Sequence, residues 1–285
     1  MMQVIEMKKD NIETGAGHSS KGNQLKWEQD GWWYKADAFG FESLAEVVVS
    51  QLLAKSNILE TAYYEPVVIR YRGKDYRGCR SRNFKGEKEE LIPLERIARS
   101  CTGFGLAKQL AHIADTKERV RYAEELVRNV TGLDNFGSYL SKMLEIDAFF
   151  LNEDRHTNNI ALLYNTETKE YRFCPFFDMG LSLFSDTKDA YPINMDYFAC
   201  REGIEAKPFH RDFDEQLDAA NELYGCYLKF DFRANQIAKV VDEMREEFAV
   251  GDDTDAVAGY TEKELARAAE VLRYQAAKYQ YMFTD

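Results

Sequence analysis

The sequence predicts an α+β protein of two lobes, a small β-rich lobe with one helix over residues 1–88 and a larger, mainly helical lobe over residues 89–285. Three observations predict it. Short aromatic and β-branched runs broken by glycine turns crowd the first part of the chain. Apolar residues at helical spacing dominate after residue 90. Between the two patterns, Lys85 to Glu90 is charged and contains glycine, the composition of a connection. The 285 residues are 45% apolar and include 18 Phe and 17 Tyr, enough to fill a core and to exclude a disordered chain.

The elements follow in order. Residues 1–34 are polar and Gly-rich around Gly15 to Gly22, then aromatic at Trp32, Trp33 and Tyr34, a loop between short strands. Phe41, Leu44, Ala45, Val48 and Leu52 recur at helical spacing, so 41–55 is an amphipathic helix. Tyr63 to Tyr71 and Asp75 to Phe84, joined by Gly73-Lys74, read as a hairpin. Helices are expected over 91–100, 106–114, 117–129 and 135–151, then a strand pair over 159–164 and 171–176. The last third is helical again over 213–224, 234–248 and 261–281. No repeat or low-complexity linker divides the chain.

Composition narrows the function classes. A net charge of -12 argues against nucleic acid as a direct partner, since phosphate backbones need a basic surface. No apolar run approaches the roughly 18 residues a membrane span needs, and the polar start lacks a signal-peptide stretch, so a cytoplasmic address away from membranes is expected. Five widely spread cysteines without a CxxC pair are read as mostly reduced and buried. His18, His112 and His210 show no metal-ligand spacing.

Chemistry concentrates in two segments. Asp154 and Asn159 stand on a loop between a predicted helix and strand with the D-x-x-x-x-N spacing of kinase catalytic loops. The carboxylate would orient an attacking hydroxyl and take its proton, and the amide oxygen would ligate Mg2+. Phe177-Asp178-Met179-Gly180 follows the strand pair and resembles the D-F-G metal motif with Met179 in place of Phe. Taken singly, each segment also reads as an ordinary turn; their order and spacing favour the chemical reading. Lys35, on a strand before the 41–55 helix, is placed to face nucleotide phosphates. Glu42 and Glu46 both edge the helix's apolar stripe, and Glu46 is the favoured partner for Lys35. His156 is read as holding the shape of the Asp154 loop by hydrogen bonds rather than acting in catalysis.

Ser19-Ser20-Lys21-Gly22-Asn23-Gln24-Leu25-Lys26 matches the S-x-x-G-x-Q-x-K phosphate loop of the HipA-like kinases at every fixed position. Lys35, Glu46, Asp154, Asn159 and Asp178 then follow in that family's order, so the chain resembles a HipA-like serine/threonine kinase from about residue 17 onward. The resemblance implies a two-lobed protein-kinase-like fold and phosphoryl transfer from ATP with Mg2+. It places Gly17, Ser19, Ser20, Gly22, Gln24, Lys26 and Lys35 at the nucleotide, Asn159 and Asp178 at the metal, and Asp154, Lys35 and Glu46 in catalysis. It further implies a protein acceptor, an antitoxin-like partner and autophosphorylation of Ser19. Long family members carry an extra N-terminal domain that is not seen before this phosphate loop, which weakens the case for the partner. A small-molecule or phosphoinositide kinase with the same parts, and a nucleotide-binding pseudokinase, are the competing readings. The adenine contacts are expected near Cys79 to Phe84.

Overall fold

A computed structural model describes residues 2–8, 12–13, 24–249 and 259–284. The chain forms two compact units that are discontinuous in sequence. The first gathers Met1–Asn83, Asp178–Ile204 and Lys229–Asp285; the second gathers Phe84–Phe177 and Glu205–Leu228.

The first unit is built on a six-stranded sheet. Its strands are β1 (Gln3–Glu6), β2 (Ile12–Glu13), β3 (Lys26–Gln29), β4 (Trp32–Ala36), β5 (Tyr64–Tyr71) and β6 (Lys74–Arg82), in the order β1-β5-β6-β4-β3-β2. Among the described strands of this sheet, β1 pairs parallel with β5 and the other pairs are antiparallel. Asp30 and Gly31, both at positive φ, turn β3 into β4, and Arg72 and Gly73 turn β5 into β6 in the same way. Two successive left-handed residues match the twist of a tight hairpin. The second turn therefore sits one residue earlier than the Gly73-Lys74 expected from sequence. Period-2 alternation sorts the strands' side chains. Tyr34 and Ala36 join Trp27, Val67, Ile69 and Tyr71 in one apolar cluster, while Lys35 between them faces the other way.

Helix α1 (Glu42–Leu53) packs on β5 and β6 and is buried on all sides. Its polar residues Glu42, Ser43, Glu46, Ser50 and Gln51 are buried with the apolar ones, so the helix expected to be amphipathic has no solvent face. The later segments of this unit supply α6 (Tyr197–Gly203), α8 (Ile237–Asp242) and α9 (Glu262–Lys278). Thr261 and Glu264 form a reciprocal capping box at the start of α9.

The second unit has a three-stranded antiparallel sheet, β7 (Glu89–Pro93), β8 (Ala161–Asn165) and β9 (Tyr171–Phe173), in the order β7-β8-β9. Around it stand α2 (Leu94–Thr102), α3 (Leu106–Leu110), α4 (Thr116–Thr131), α5 (Phe136–Phe150) and α7 (Phe213–Tyr224). Tyr139 of α5 stacks on Phe173 with ring centroids 4.8 Å apart and donates its hydroxyl proton to the Cys174 carbonyl, tying helix to sheet.

Several elements differ from expectation. Residues 91–93 are strand, not helix: Pro93 has no N–H to give a helix interior, and stands instead as the N-cap of α2. The helix expected over 106–114 stops at Leu110. That over 234–248 breaks into a 3-10 turn, Ala234–Gln236, and the short α8. Helix α6 was not foreseen. Cys79, Cys174 and Cys200 are buried free thiols, but Cys101 and Cys226 are exposed. Among the described residues, no helix is long and apolar enough to cross a membrane.

Candidate active site

The sequence-predicted residues fall into two clusters, one in each unit. In the first unit, Lys35 Nζ lies 2.5 Å from Glu46 Oε1 and 2.7 Å from Asp178 Oδ1. Strand alternation sends Lys35 to the α1 face of the sheet, and Glu46 stands one helical turn beyond Glu42 on that helix. Burial by itself would lower the lysine's pKa. The Asp178 and Glu46 carboxylates outweigh it and hold the ammonium well above its ordinary value. The Tyr64 ring lies 5.2 Å from the same nitrogen. Lys26, register partner of Lys35 across the β3–β4 pair, brings Nζ to 3.8 Å from Asp178 Oδ1.

Asp178 has a φ of 62°, a left-handed conformation that Asp tolerates better than most side chains. The chain turns there so that the carboxylate meets Lys35 while the next N–H, of Met179, donates to Glu46 Oε2 at 2.9 Å. Glu46 thus binds the lysine with one oxygen and the Asp178 segment with the other. Gly180 follows in the turn, and a Cβ there would lie 3.3 Å from the Glu42 Cβ, so a side chain would press on α1 by a few tenths of an ångström. Glu42 has a different task, accepting from the N–H groups of Ala38, Phe39 and Gly40.

In the second unit, Asn159 Nδ2 donates to the main-chain oxygen of Asp154 at 2.8 Å. That bond closes the D-x-x-x-x-N loop and turns the amide oxygen of Asn159 away from it. His156 donates its backbone N–H to the Asp154 carbonyl at 2.8 Å, and its Nδ1 accepts from the N–H of Asn158. With Nδ1 an acceptor, a neutral ring carries its proton on Nε2, 3.8 Å from Asp154 Oδ2 and beyond direct hydrogen bonding.

Sequence reading missed the anchor beneath this loop. Arg155, 1% exposed, forms a two-pronged pair with the fully buried Asp147 of α5, Nε to Oδ2 at 2.9 Å and Nη2 to Oδ1 at 3.0 Å. Its Nη1 donates to the carbonyls of Asn159 and Phe177 at 2.9 and 3.1 Å. Asn152 adds to the anchor, donating Nδ2 to Asp147 Oδ1 and accepting the Asp154 N–H. Burial pushes the Asp147 carboxyl up, and Arg155 pulls it back toward the ionised form. A charge set in the apolar run Leu144 to Phe150 was the available signal.

Of the proposed nucleotide-binding residues, Lys26 and Lys35 stand together at Asp178, and Gln24 is half-buried just before β3. Gly17, Ser19, Ser20 and Gly22 lie outside the described residues.

The structure of the Helicobacter pylori proinflammatory kinase CtkA is similar, with a TM-score of 0.60 over 96% of this chain and 95% of that one. The fold is a two-lobed, kinase-like α+β fold. Sequence identity in that comparison is 16%, so the likeness is one of fold. No family model and no curated protein matches the sequence.

The donor chemistry fits Mg2+. Among the described residues no group of three or more His, Cys, Asp or Glu could cage a metal. Mg2+ bound with a nucleotide needs only one or two protein oxygens, the rest coming from phosphates and water. The Asp178 carboxylate in the first unit and the Asn159 amide oxygen in the second are each hard donors of that kind.

Proposed function

We propose that this protein is an ATP- and Mg2+-dependent phosphotransferase acting on an alcohol group, and that its acceptor is a protein serine or threonine. The observation that carries the proposal is the Lys35 constellation, in which one strand lysine joins a helix glutamate and the Asp of a D-x-G turn. Those three residue types are what a kinase uses to hold nucleotide phosphates and metal. A purely structural ion pair would not need a second carboxylate, nor the left-handed turn that presents it.

In this reading Lys35 contacts the phosphates and Glu46 keeps its ammonium in place. Asp178 and Asn159 would be the donors to Mg2+, which would offset the negative charge of the transferring group. Asp154 orients the acceptor hydroxyl and takes its proton, on a loop that Asn159, Arg155 and Asp147 keep rigid. Lys26, Gln24 and the Gly17 to Gly22 loop add the remaining phosphate contacts. The HipA-like resemblance extends the proposal to autophosphorylation at Ser19, a cytoplasmic location and an antitoxin-like partner.

The test is incubation with labelled ATP and Mg2+, followed by intact-mass measurement and phosphosite mapping. Label on a serine or threonine of the protein, lost in Asp154→Asn, is the expected result. Label transferred only to added small alcohols would favour the small-molecule kinase reading. Nucleotide binding without any transfer would make the protein a pseudokinase.

A further inference from the structure

Beside Asp154, within the second unit, lies a cavity of about 480 Å3 whose lining includes Leu110, Ala111, Arg119, His156, Lys207 and Arg211. Its cations come from separate stretches of chain. Arg119 is on α4, and Lys207 and Arg211 are on the segment that leads into α7. The chain as a whole carries 49 acidic against 37 Lys and Arg residues, yet no carboxylate lines this cavity.

The partners of these cations leave them able to take an anion. Arg119 donates Nε to the Ile113 carbonyl and Nη1 to the Phe209 carbonyl, both at 2.7 Å. Carbonyls fix the guanidinium in place without cancelling its charge, and among the described residues no carboxylate pairs with it. Lys207 Nζ reaches Asp154 Oδ1 at 3.7 Å with its side chain 41% exposed. Arg211 meets Glu205 at 3.5 Å, and both side chains are largely in solvent, so that pair contributes little. Glu95, which contacts the lining residues Thr157 and Ala107, is taken up by the Thr157 hydroxyl and the Ala107 N–H.

We infer that this cavity is an acceptor subsite, and that it takes an acidic or phosphorylated side chain of a polypeptide whose hydroxyl is presented to Asp154. The inference rests on the proposed kinase reading for the role of Asp154, but the charge preference itself does not. Lys207 links the two functions, because it lies in the cavity lining and also reaches the Asp154 carboxylate. An anion there meets Arg119 of α4 and Lys207 and Arg211 of the segment before α7, an arrangement suited to selecting a flanking charge.

The experiment uses the full chain without nucleotide and labelled short peptides with a central serine flanked by Asp and Glu, by Lys and Arg, or by neutral residues. Affinity is read by fluorescence anisotropy at low and at physiological salt. Three partly exposed ionic contacts predict about tenfold tighter binding of the acidic peptide than of the basic one, weakening with salt. Arg211→Glu, at an exposed position that tolerates substitution, should erase most of that preference. Equal affinities, no measurable binding of any peptide, or a preference untouched by Arg211→Glu would each overturn the inference. Inorganic phosphate binding as tightly as the acidic peptide would replace it with a small-anion site. A parallel phosphorylation assay separates the two readings. A charge preference without transfer leaves the subsite standing and removes the kinase, while transfer that ignores flanking charge does the reverse.

Discussion

Lys35 and Glu46 meet inside the first unit with 2.5 Å between Nζ and Oε1, and their side chains are 9% and 1% exposed. The pair is joined by a third group, Asp178, which also has Lys26 at 3.8 Å, so removing Lys35 takes the cation from the buried Glu46 carboxylate. Lys35→Met should therefore cost about 3–5 kcal/mol of stability, the range for breaking a buried pair from one side. Glu46→Gln should cost less, because Lys35 keeps Asp178 and the amide oxygen still accepts from Met179. Thermal melts of the two variants check the order, and a more damaging Glu46→Gln would contradict it. The lysine's folded-state pKa is raised, so its contribution is complete below the ordinary lysine range and is lost only as pH rises through the folded value. The gap between wild type and Lys35→Met should then stay level from neutral to mildly alkaline pH.

Asp154→Asn and Asp178→Ala should fail in different ways. The first keeps the main-chain oxygen that Asn159 grips, so the loop persists while the proton acceptor is gone. Transfer should fall at least about a hundredfold with nucleotide affinity little changed. The second removes a metal donor, and affinity for Mg-ATP at limiting Mg2+ should drop about tenfold, near 1.4 kcal/mol. Calorimetric titration beside a transfer assay separates them. Unchanged affinity in Asp178→Ala would remove that residue from the metal.

How far the site was legible depended on whether its parts were neighbours in sequence. Helical spacing delimits Phe213–Tyr224, the range observed for α7, because an amphipathic face and the closing Gly225 are both local signals. Glu42 and Glu46 both edge one apolar stripe, which does not separate them; Glu46, the favoured one, is the residue that meets Lys35. Asp30-Gly31 was a readable turn signal that the reading of 1–34 as a loop between short strands did not use. The parallel pairing of β1 with β5 joins residues far apart in the chain and leaves no periodic trace. Arg155 and Asp147 were illegible as a pair for the same reason: each is an ordinary charged residue until the fold buries both. The cations at the cavity beside Asp154 come from separate stretches, and no local pattern connects Arg119 to Lys207.

A pH dependence is expected from Asp37. Burial and the nearby Glu42 carboxylate push its carboxyl up to about 7, against the opposing pull of Arg77 and of the hydrogen bonds from Ser43. A raised folded-state value means that the group's stability contribution is fully present below its unfolded pKa of 3.8 and is lost as pH rises toward 7. Asp37→Asn keeps an oxygen for the Ser43 N–H and cannot ionise. Wild type should lose about 1–3 kcal/mol relative to this variant between pH 4 and pH 8. Urea midpoints across that window measure the slope, which is the relevant quantity because the variant also weakens the contact to Arg77. Parallel slopes for the two proteins would show that Asp37 does not titrate in this range.

Arg155 should prove as important to the Asp154 loop as any residue that touches substrate, though it touches none. It spans the buried Asp147 carboxylate, the Asn159 carbonyl and the Phe177 carbonyl, so one side chain fixes both ends of the D-x-x-x-x-N segment's surroundings. Arg155→Ala leaves an unpaired carboxylate at a fully buried site and should destabilise the protein by about 3–5 kcal/mol. Arg155→Lys should rescue little, since an ammonium cannot reproduce the two-pronged pair and reach the carbonyls as well. The double variant Arg155→Met with Asp147→Leu removes both charges at similar volume and should recover much of the lost stability. It should not recover transfer activity, because Asn152 and Asn159 would still have lost the groups that position their loop. Denaturant unfolding and a phosphoryl-transfer assay on the same three variants test this. Activity returning together with stability in the double variant would show that the ion pair serves folding alone.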